Sequence, residues 1–411
     1  MPILVGLVLA LAAVAGAYRL FELVCALLFF RDARRKWSRW SATPHAPAVT
    51  ILKPLKGCGI DLYENLASFC RQQYAGRIQI VCGVAQADDP AAEIVAKLKR
   101  DFPQLDIVLS VGDEAGANRK IANLIHMMRY AKHQTLVLSD ADIRVRPDYL
   151  ATLVTPLADP KVGLSNCLYR GVGDFGLPST IEGLLINTDF IPMVMVARWV
   201  QGLKYAYGAS IAVKREALDA AGGWRVLADY LADDYQLGNR VHQAGYEIAL
   251  LPYVVETVLD SVTLDDVFRH QLRWARTYRV CQPFNWFLAG VTQTTMWGLL
   301  AVIVTGGSLV GVGMLAAGLV CRFASVITTM GLLGDRDTVR YLGLVPLKDL
   351  AYSGIWIACW FGRDVNWSGQ RLRVEADGRM TPLSPAPAVA MRPVEPDPVA
   401  RRAQGGAEPG A

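Results

Sequence analysis

The sequence predicts an α/β domain with a parallel sheet, flanked by apolar segments long enough to enter a membrane. From about residue 49 to about residue 258, short apolar runs alternate with amphipathic, helix-like stretches. Strands that are buried on both faces are continuously apolar, and parallel strands are joined through helical crossovers. Apolar residues make up 53% of the 411-residue chain, which is high for a wholly soluble protein and favours several membrane segments.

The first apolar segment predicts an N-terminal transmembrane anchor over residues 1–30. It exceeds the roughly 20 residues that a bilayer-spanning helix needs. A basic juxtamembrane linker follows over residues 31–48. The charges come after the apolar core, whereas a cleaved signal peptide carries them before it. The positive-inside rule therefore predicts that the α/β domain, residues 49–282, faces the cytosol.

The chain becomes apolar again over residues 283–362, which are predicted to hold the C-terminal membrane segments. The candidates are Trp286–Val304, Ser308–Met330 and Leu344–Phe361. The third carries Lys348 and Asp349, so it could span or lie at the interface, and we favour a re-entrant or interfacial segment. Residues 363–411 are predicted to form a cytosolic tail that is disordered from about residue 381, because it is rich in Pro, Ala, Gly and charge.

Charge and cysteine content argue against several other classes of protein. The net charge of +5 is modest, and no zinc finger, basic stripe or RNA-binding signature is present, so no nucleic-acid partner is expected. The eight cysteines are scattered, without a C-x-x-C pair or Cys/His metal spacing. A disulfide framework is therefore not expected, and a reducing cytosolic setting fits.

The most informative short motif is Asp140-Ala141-Asp142, at the end of the predicted strand TLVLS. Ligands of open α/β sheets bind at the carboxyl ends of the strands. A hard divalent cation, Mg²⁺ or Mn²⁺, takes oxygen ligands and is typically held by one or two carboxylates plus substrate phosphates. The motif thus predicts that Asp140 and Asp142 hold a metal beside a nucleotide-sugar diphosphate, although the same pattern is also typical of a solvated strand end.

Two further aspartates follow the same logic. Asp89 comes after the predicted strand IQIVCGV, where it could contact a ligand or simply cap the next helix. Asp234 opens a helix-like stretch, where it could act as a general base for an acceptor hydroxyl or compensate the helix dipole.

Cationic and aromatic candidates complete the set. Arg273 could bind a diphosphate bidentately and Trp274 could wall off a sugar or an acceptor, although such a pair is also a common interfacial anchor. Asn118 and Lys120 open a helix, a position that suits an anion such as a diphosphate and equally suits plain capping. The order of all these motifs on one α/β domain, between an anchor and a membrane hairpin, predicts a sugar-nucleotide enzyme.

These residues resemble the ceramide glucosyltransferases, inverting enzymes of family 21 with a GT-A fold. The resemblance spans roughly residues 49–280 and is carried by LKPLKG, the DDP at Asp89, G-x-N-x-K with Asn123, the SDADIRVRPDYL segment, DDY and the late RW. Within that group, NRKIANLIHMM, CLYRG, LADDYQLG, PYVVETV and HQLRWARTYR are more similar to the bacterial glycosyltransferases of hopanoid biosynthesis.

The resemblance implies a role for each matching residue. Asp89 is at the nucleotide, and Asp140 and Asp142 bind the metal. Asp234 is the catalytic base, and Arg273 with Trp274 ends the (Q/R)-x-x-R-W motif.

The sequence departs from the ceramide enzymes at two places. His270 stands where they have Gln or Arg, so the contact it makes with diphosphate or acceptor is expected to differ. The region Leu184 to Trp199 bears little likeness to them, and it is expected to touch the acceptor. Both departures favour the hopanoid subgroup.

The resulting hypothesis is a multi-pass enzyme of the bacterial inner membrane. It would transfer N-acetylglucosamine from UDP-GlcNAc, with inversion, to a hydroxyl of bacteriohopanetetrol, a hopanoid lipid. A sphingolipid glucosyltransferase using UDP-glucose is the main alternative. A processive polysaccharide synthase would need more spans, and a catalytically silent membrane scaffold would be expected to have lost Asp142, Asp234 or Arg273.

Overall fold

The computed structural model describes residues 1–42, 45–173, 176–260 and 263–383. Its helices are α1 (Pro2–Trp40), α2 (Leu62–Cys70), α3 (Ala91–Asp101), α4 (Arg119–Met127), α5 (Tyr149–Val154), α6 (Leu177–Leu185), α7 (Ile191–Gln201), α8 (Arg215–Ala220), α9 (Asp233–Gln243), α10 (Leu264–Cys281), α11 (Pro283–Ala289), α12 (Thr294–Val304), α13 (Leu309–Leu333) and α14 (Val345–Ala358). Its strands are β1 (Val49–Pro54), β2 (Ile78–Val84), β3 (Asp106–Val111), β4 (Thr135–Ser139), β5 (Ile143–Arg144), β6 (Val162–Val172), β7 (Ser210–Lys214), β8 (Glu247–Val258), β9 (Asp364–Trp367), β10 (Gln370–Val374) and β11 (Met380–Pro382).

The larger sheet has the strand order β3-β2-β1-β4-β7-β6-β8-β5. Strands β3, β2, β1 and β4 are parallel, as the sequence predicts. The sheet is mixed, because β7 runs antiparallel to both β4 and β6, and β5 is antiparallel to β8. A short apolar run reports burial but not strand direction, so the sequence could not distinguish these cases.

Helices cover both faces of this sheet, which explains why its central strands are apolar throughout. One core lies under α2, α3 and α5 and includes Leu66, Leu98 and Leu150. The other lies under α4, α8 and α9 and includes Leu124 and Leu237. The carboxyl ends of β1, β2 and β4 remain open between these layers, and the predicted site residues follow them in the chain.

The N-terminal helix is longer than the predicted anchor. Helix α1 continues without a break past residue 30 to Trp40, so the first part of the predicted linker 31–48 is helical. Phe29, Phe30 and Ala33 are buried against α7 and β8, and this packing extends the helix beyond the apolar segment. The helix therefore connects the membrane segments rigidly to the sheet domain.

Three helical stretches of the described chain could cross a membrane by length and composition: α1, Leu177–Gln201 and α13. The pair α11 and α12 is bent by 48° and could form a fourth span or a re-entrant loop. The predicted apolar segments are thus present as helices, with α14 as the third C-terminal one. Leu177–Gln201, which contains α6, a π-helical turn and α7, is mostly buried, and the sequence did not predict it as a span.

Buried ion pairs tie this stretch to the C-terminal helices. Arg322 on α13 lies 2.6 Å from Asp189 in the π-helical turn and 2.8 Å from Asp349 on α14. Lys348 pairs with the same two carboxylates. Buried charges are tolerated when they are paired and hydrogen-bonded, so these contacts fix Leu177–Gln201 against α13 and α14.

The first part of the predicted tail, where the chain leaves α14, is folded. Strands β9, β10 and β11 form a small antiparallel sheet in the order β11-β10-β9. It packs Val365, Leu372 and Val374 against Leu231 of the sheet domain. The disorder predicted from about residue 381 falls, from residue 384 onward, outside the described residues.

Candidate active site

A single cavity of about 1210 Å³ opens at the carboxyl ends of β1, β2 and β4 and reaches the apolar helices. Its lining includes the predicted residues Asp89, Lys120, Asp140, Asp142, Asp234, His270, Arg273 and Trp274. Asn118 is the predicted site residue that does not line it. The topology thus brings together side chains that lie up to 185 positions apart in the sequence.

Asp140 and Asp142 stand directly after β4, where the strand leaves the sheet. The Asp140 carboxylate lies 2.7 Å from the Lys120 ammonium, which also lies 3.4 Å from Asp233. These carboxylates raise the pKa of Lys120, so the side chain stays charged. Lys120 and Asp140 therefore lie together on the lining of one cavity.

Lys53 belongs to the LKPLKG motif and contacts the backbone directly after β4. It is fully buried, it lies 3.7 Å from the ring centroid of Phe69, and it donates a 2.7 Å hydrogen bond to the Asp140 carbonyl. Burial lowers the pKa of Lys53 to about 7, and burial together with the neighbouring Asp140 raises the pKa of Asp142 to about 7. The signal in the sequence that could have identified Lys53 is a polar residue at the end of an apolar strand.

Asp89 joins two loops at the end of the cavity beside the sheet. Its carboxylate accepts hydrogen bonds from the Gly57 amide, at 3.0 and 3.1 Å, and from the Ala91 amide at 2.9 Å. The first contact holds the loop after β1, and the second lies at the start of α3. Asp89 therefore both caps a helix and lines the cavity, so the two alternatives for this residue are compatible.

Asn118 caps helix α4, which is the alternative that the sequence offered to a contact with a diphosphate. Its side chain is fully buried, and its Oδ1 accepts a 3.0 Å hydrogen bond from the Ile121 amide at the start of α4. Its Nδ2 donates to the Tyr230 carbonyl and to Asp233. Because these partners occupy the side chain, the prediction that Asn118 contacts the donor is not supported, and its role is to fix Lys120 two positions later.

The adjacent aspartates at the start of α9 have different surroundings. Asp233 is buried and pairs with Lys120 and Asn118. Asp234 faces the cavity, no ion pair to it exists among the described residues, and its Oδ1 accepts a 2.7 Å hydrogen bond from the Tyr235 amide. A side chain on Gly208 would approach Asp234 to 3.0 Å, so that glycine keeps the space open.

The pKa of Asp234 is raised to about 6, chiefly by burial and then by the neighbouring Asp233. A general base works best when its pKa lies near the working pH. The geometry thus distinguishes Asp233, a structural carboxylate, from Asp234, a carboxylate that can accept a proton. The sequence of an Asp-Asp pair alone does not show which residue is which.

Arg273 lines the cavity from α10 without a carboxylate partner within 4.0 Å among the described residues. Its guanidinium lies 5.9 Å from the ring centroid of Trp367 on β9. Burial lowers the pKa of Arg273, but arginine stays protonated at physiological pH. The site therefore contains a charged, bidentate donor whose hydrogen-bonding groups are available to an anion.

His270 occupies the next turn of the same helix face and has a partner that the sequence did not reveal. Its Nδ1 contacts the carboxylate of Glu182 on α6, and both side chains line the cavity. Its ring lies 4.8 Å from that of Trp274 in an edge-on arrangement. A carboxylate at Nδ1 orients the imidazole, so Glu182 belongs to the site although α6 shows no recognisable motif.

Aromatic rings connect the charged end of the cavity to the apolar helices. The rings of Trp274 and Tyr278 lie 5.8 and 6.2 Å from that of Phe190, and the Trp286 ring lies 5.6 Å from that of Tyr278. Tyr352 continues the series towards α1. Aromatic walls of this kind suit a sugar face or an apolar chain.

The far end of the cavity is polar and internally paired. Arg19 and Glu22 on α1 form a 2.9 Å ion pair. Arg19 also donates to the Thr294 hydroxyl at 3.0 Å and to the Thr292 carbonyl at 3.1 Å. This end is thus closed by groups that already satisfy one another.

The donor set at β4 fits a divalent cation that is shared with a phosphate ligand. Asp140 and Asp142 supply two carboxylates, and no group of three or more His, Cys, Asp or Glu side chains that could hold a metal occurs in the described part of the chain. Mg²⁺ usually keeps one or two carboxylates and completes its shell with water and substrate phosphates. The two residues would therefore hold a metal only together with a diphosphate.

Comparisons with known proteins identify the family to which the chain is similar. Residues 7–380 match the model of the family described as glycosyl transferase family 21. Ceramide glucosyltransferase 1 of Caenorhabditis elegans is 27% identical over 263 residues, which are 64% of this chain and 56% of that protein. A probable glycosyltransferase of Bacillus subtilis is 23% identical over 270 residues, which are 63% of this chain and 62% of that protein.

The chain spans about half the length of the curated relatives it matches. Among solved structures, a mannosyltransferase from Pyrobaculum calidifontis in complex with GDP-Man and Mn²⁺ is similar with a TM-score of 0.47 and 19% identity, covering 86% of this chain and 99% of that one. The α/β domain is GT-A-like, with a mixed sheet and apolar helices beside it, and the fold prediction is confirmed.

Proposed function

Because the chain belongs to glycosyl transferase family 21, we propose that it transfers a sugar from a UDP-sugar to a hydroxyl group of a membrane lipid. The observation that carries the proposal is the continuity of the cavity. One space is lined both by Asp140 and Asp234 at the sheet edge and by Tyr18 and Trp286 from the apolar helices. A water-soluble donor and a bilayer-embedded acceptor could therefore meet in it.

The donor is proposed to occupy the end of the cavity beside β1, β2 and β4. Asp89 and the loop it holds would contact the nucleoside, and Arg273 would bind the diphosphate. Asp140 and Asp142 would hold Mg²⁺ or Mn²⁺, which when bound neutralises charge on the departing diphosphate. Lys120 would keep its contact with Asp140 and add a second positive charge close by.

In the proposed reaction Asp234 accepts the proton of the acceptor hydroxyl. The freed oxygen attacks the anomeric carbon, the bond between that carbon and the diphosphate oxygen breaks, and its electron pair leaves with UDP. Attack from the face opposite UDP inverts the anomeric configuration. Trp274 and Phe190 would form the wall against which the acceptor is oriented.

The charges around the cavity favour a neutral acceptor over a lipid phosphate. The cations that line it are Arg19, Lys56, Arg119, Lys120 and Arg273. Within the described chain, Arg273 alone lacks a carboxylate or carbonyl partner for its charged group. The donor diphosphate already requires that cation, and a phosphate acceptor would bring further negative charge to a site with no unpaired cation left.

For the specific reaction we propose transfer of N-acetylglucosamine from UDP-GlcNAc to bacteriohopanetetrol at a bacterial inner membrane, with the sheet domain in the cytosol. The motifs shared with the hopanoid subgroup and His270 in the RW motif support it. The second candidate is a ceramide glucosyltransferase using UDP-glucose, which the similarity to the Caenorhabditis elegans proteins favours.

The test is a donor and acceptor matrix with the full-length protein in lipid nanodiscs. UDP-GlcNAc and UDP-glucose are each combined with bacteriohopanetetrol, ceramide and undecaprenyl phosphate, in the presence of Mg²⁺ or Mn²⁺, and the lipid products are read by mass spectrometry. We expect N-acetylglucosaminyl-bacteriohopanetetrol. Glucosylceramide alone would replace the specific reaction by the second candidate, and a product on undecaprenyl phosphate alone would refute the neutral-acceptor argument.

A further inference from the structure

The β9–β10 hairpin reaches the cavity from a part of the chain that the sequence assigned to a tail. Its tip, Trp367 to Gln370, lines the cavity beside Lys56 and Arg273. The tip lies more than 80 residues beyond the RW motif in the chain, so no local pattern connects them. The packing of the small sheet therefore has to explain why the tip lies at the cavity.

The small sheet is anchored to the elements that hold the catalytic carboxylates. The Leu231 amide donates to the Gly378 carbonyl at 3.2 Å, and the Met380 amide donates to the Asp229 carbonyl at 2.7 Å. Asp229 in turn accepts a 3.0 Å hydrogen bond from the Ala117 amide, just before α4. The same loop leads directly into α9 and Asp234, so the hairpin is held in register with the site.

The hairpin tip has a fixed shape. Ser368 and Gly369 are its two loop residues, with φ values of 50° and 77°. Two consecutive residues with positive φ give the tight turn that matches the twist of an antiparallel hairpin. The Ser368 carbonyl accepts a hydrogen bond from the Lys56 ammonium, which lies in the loop after β1. The tip is therefore a defined wall and not a loose loop.

We propose that this tip forms one wall of the donor site and that Trp367 is a positioning residue that holds Arg273 against the diphosphate of a nucleoside diphosphate sugar. The inference rests on the proposed function. The Trp367 ring lies 5.9 Å from the Arg273 guanidinium carbon, a cation–π distance. No ion pair to Arg273 exists among the described residues, so this ring is the contact that fixes the direction of the guanidinium.

The chain offers a matched control outside the cavity. Trp360 stacks on Arg279 at 5.7 Å, on the same helix and the same C-terminal segment, but neither residue lines the cavity. Removing either tryptophan deletes one Arg–Trp contact near the membrane. Only the loss of Trp367 should alter the donor site.

The experiment compares Trp367→Ala, Trp367→Phe and Trp360→Ala in full-length protein in nanodiscs. Calorimetric titration gives the Kd for UDP, and product analysis gives donor KM, acceptor KM and the ratio of free sugar to glycolipid. For Trp367→Ala we expect UDP Kd and donor KM to rise roughly 3- to 30-fold, the range of a partly desolvated cation–π contact. The free-sugar share should rise, because water enters where the ring stood, and acceptor KM should stay within about twofold.

Trp367→Phe should retain most of the donor affinity, since a phenyl ring still offers a face to the guanidinium, and Trp360→Ala should match the wild type. Wild-type donor affinity in Trp367→Ala would overturn the inference while leaving the proposed function intact. Equal losses in Trp360→Ala and Trp367→Ala would also overturn it, because the effect would then be structural. A wild-type protein that binds no UDP would instead overturn the proposed function, together with this inference.

Discussion

The two ends of the cavity are built in opposite ways. At the proposed donor end, Asp89, Asp140 and Lys120 stand within a few positions of strand or helix ends, and each makes short polar contacts. At the acceptor end, Tyr18 and Trp286 come from helices that are far apart in the chain and meet only through packing. The donor end is thus a property of the sheet edge, and the acceptor end is a property of the whole assembly.

This difference implies that the two ends can be damaged separately. Changes at the sheet edge should alter donor affinity and chemistry while leaving acceptor affinity unchanged. Changes on the helices should do the reverse. The two functions meet at Asp234, which in the proposed mechanism takes the proton of the acceptor hydroxyl that attacks the donor.

The largest effect is expected at that meeting point. Asp234→Asn should lower kcat by about 10²- to 10⁴-fold, the usual contribution of a general base, with UDP affinity within about threefold of the wild type. Its neighbour provides the control: Asp233→Asn should mainly weaken donor binding, because it frees Lys120 and Asn118. Single-turnover kinetics and UDP titration measure both, and near-normal turnover by Asp234→Asn would remove it as the base.

A smaller effect is expected at the donor end. Arg273→Lys keeps the charge but loses the bidentate geometry, so donor kcat/KM should fall about 10- to 100-fold, as for one charged hydrogen bond. Acceptor KM should be unchanged. Arg279→Lys, on the same helix but outside the cavity, is the matched control. Steady-state kinetics with each substrate varied in turn would contradict the assignment if acceptor KM alone changed.

The pH dependence of kcat should report Asp234. The pKa of its carboxyl is raised to about 6, and only the deprotonated form accepts a proton, so kcat should fall as the pH drops below about 6 and level off above it. The expected slope is about tenfold per pH unit. Saturating donor is needed because the pKa of Asp142 is also raised, to about 7. A kcat that stays flat from pH 5 to 8 would conflict with this role.

The smallest effect is expected at the acceptor end, where the wall is broad. Ala197 on α7 lines the cavity, and Ala197→Trp should fill part of it, raising acceptor KM about 5- to 30-fold, as for roughly 1–2 kcal/mol of overpacking, with donor KM unchanged. Val320→Trp, at an exposed position on α13, adds the same bulk outside the cavity. Acceptor titration in nanodiscs distinguishes them, and equal effects would argue against an acceptor path along α7.

The contrast between the two ends of the cavity also explains which site residues the sequence could predict. Asp140 and Asp142 follow an apolar strand, and such a strand end is visible in one window of the sequence, so the sequence could place candidate residues at the sheet edge one by one, while their roles stay predictions. Asn118 was the exception, since a helix start serves an anion and a cap equally well. Glu182 and Trp286 could not be predicted as site residues, because nothing local marks which side chains long-range packing brings together. Phe190 was covered only by the expectation that the region Leu184 to Trp199 touches the acceptor.

The C-terminal sheet was not predicted from the sequence, and the reason is different. Leu372 and Val374 are buried and alternate with the exposed Arg371 and Arg373, which is the period-two pattern of a half-buried strand. In the sequence those arginines contribute only to the charge of the predicted tail, and this charge hides the alternation. The hairpin tip at Trp367 was missed for the same reason, although it lines the cavity.

The Arg19–Glu22 pair on α1 has a consequence for the order of biosynthesis. Its partners Thr292 and Thr294 lie 273 and 275 residues later, which at ribosomal rates of 5–20 residues per second is a wait of roughly 15–55 s. An unpaired arginine is costly to leave in a membrane helix for that interval. Because Glu22 lies one turn away on the same helix, the charge is neutralised as soon as the helix forms, before any other helix exists to receive it.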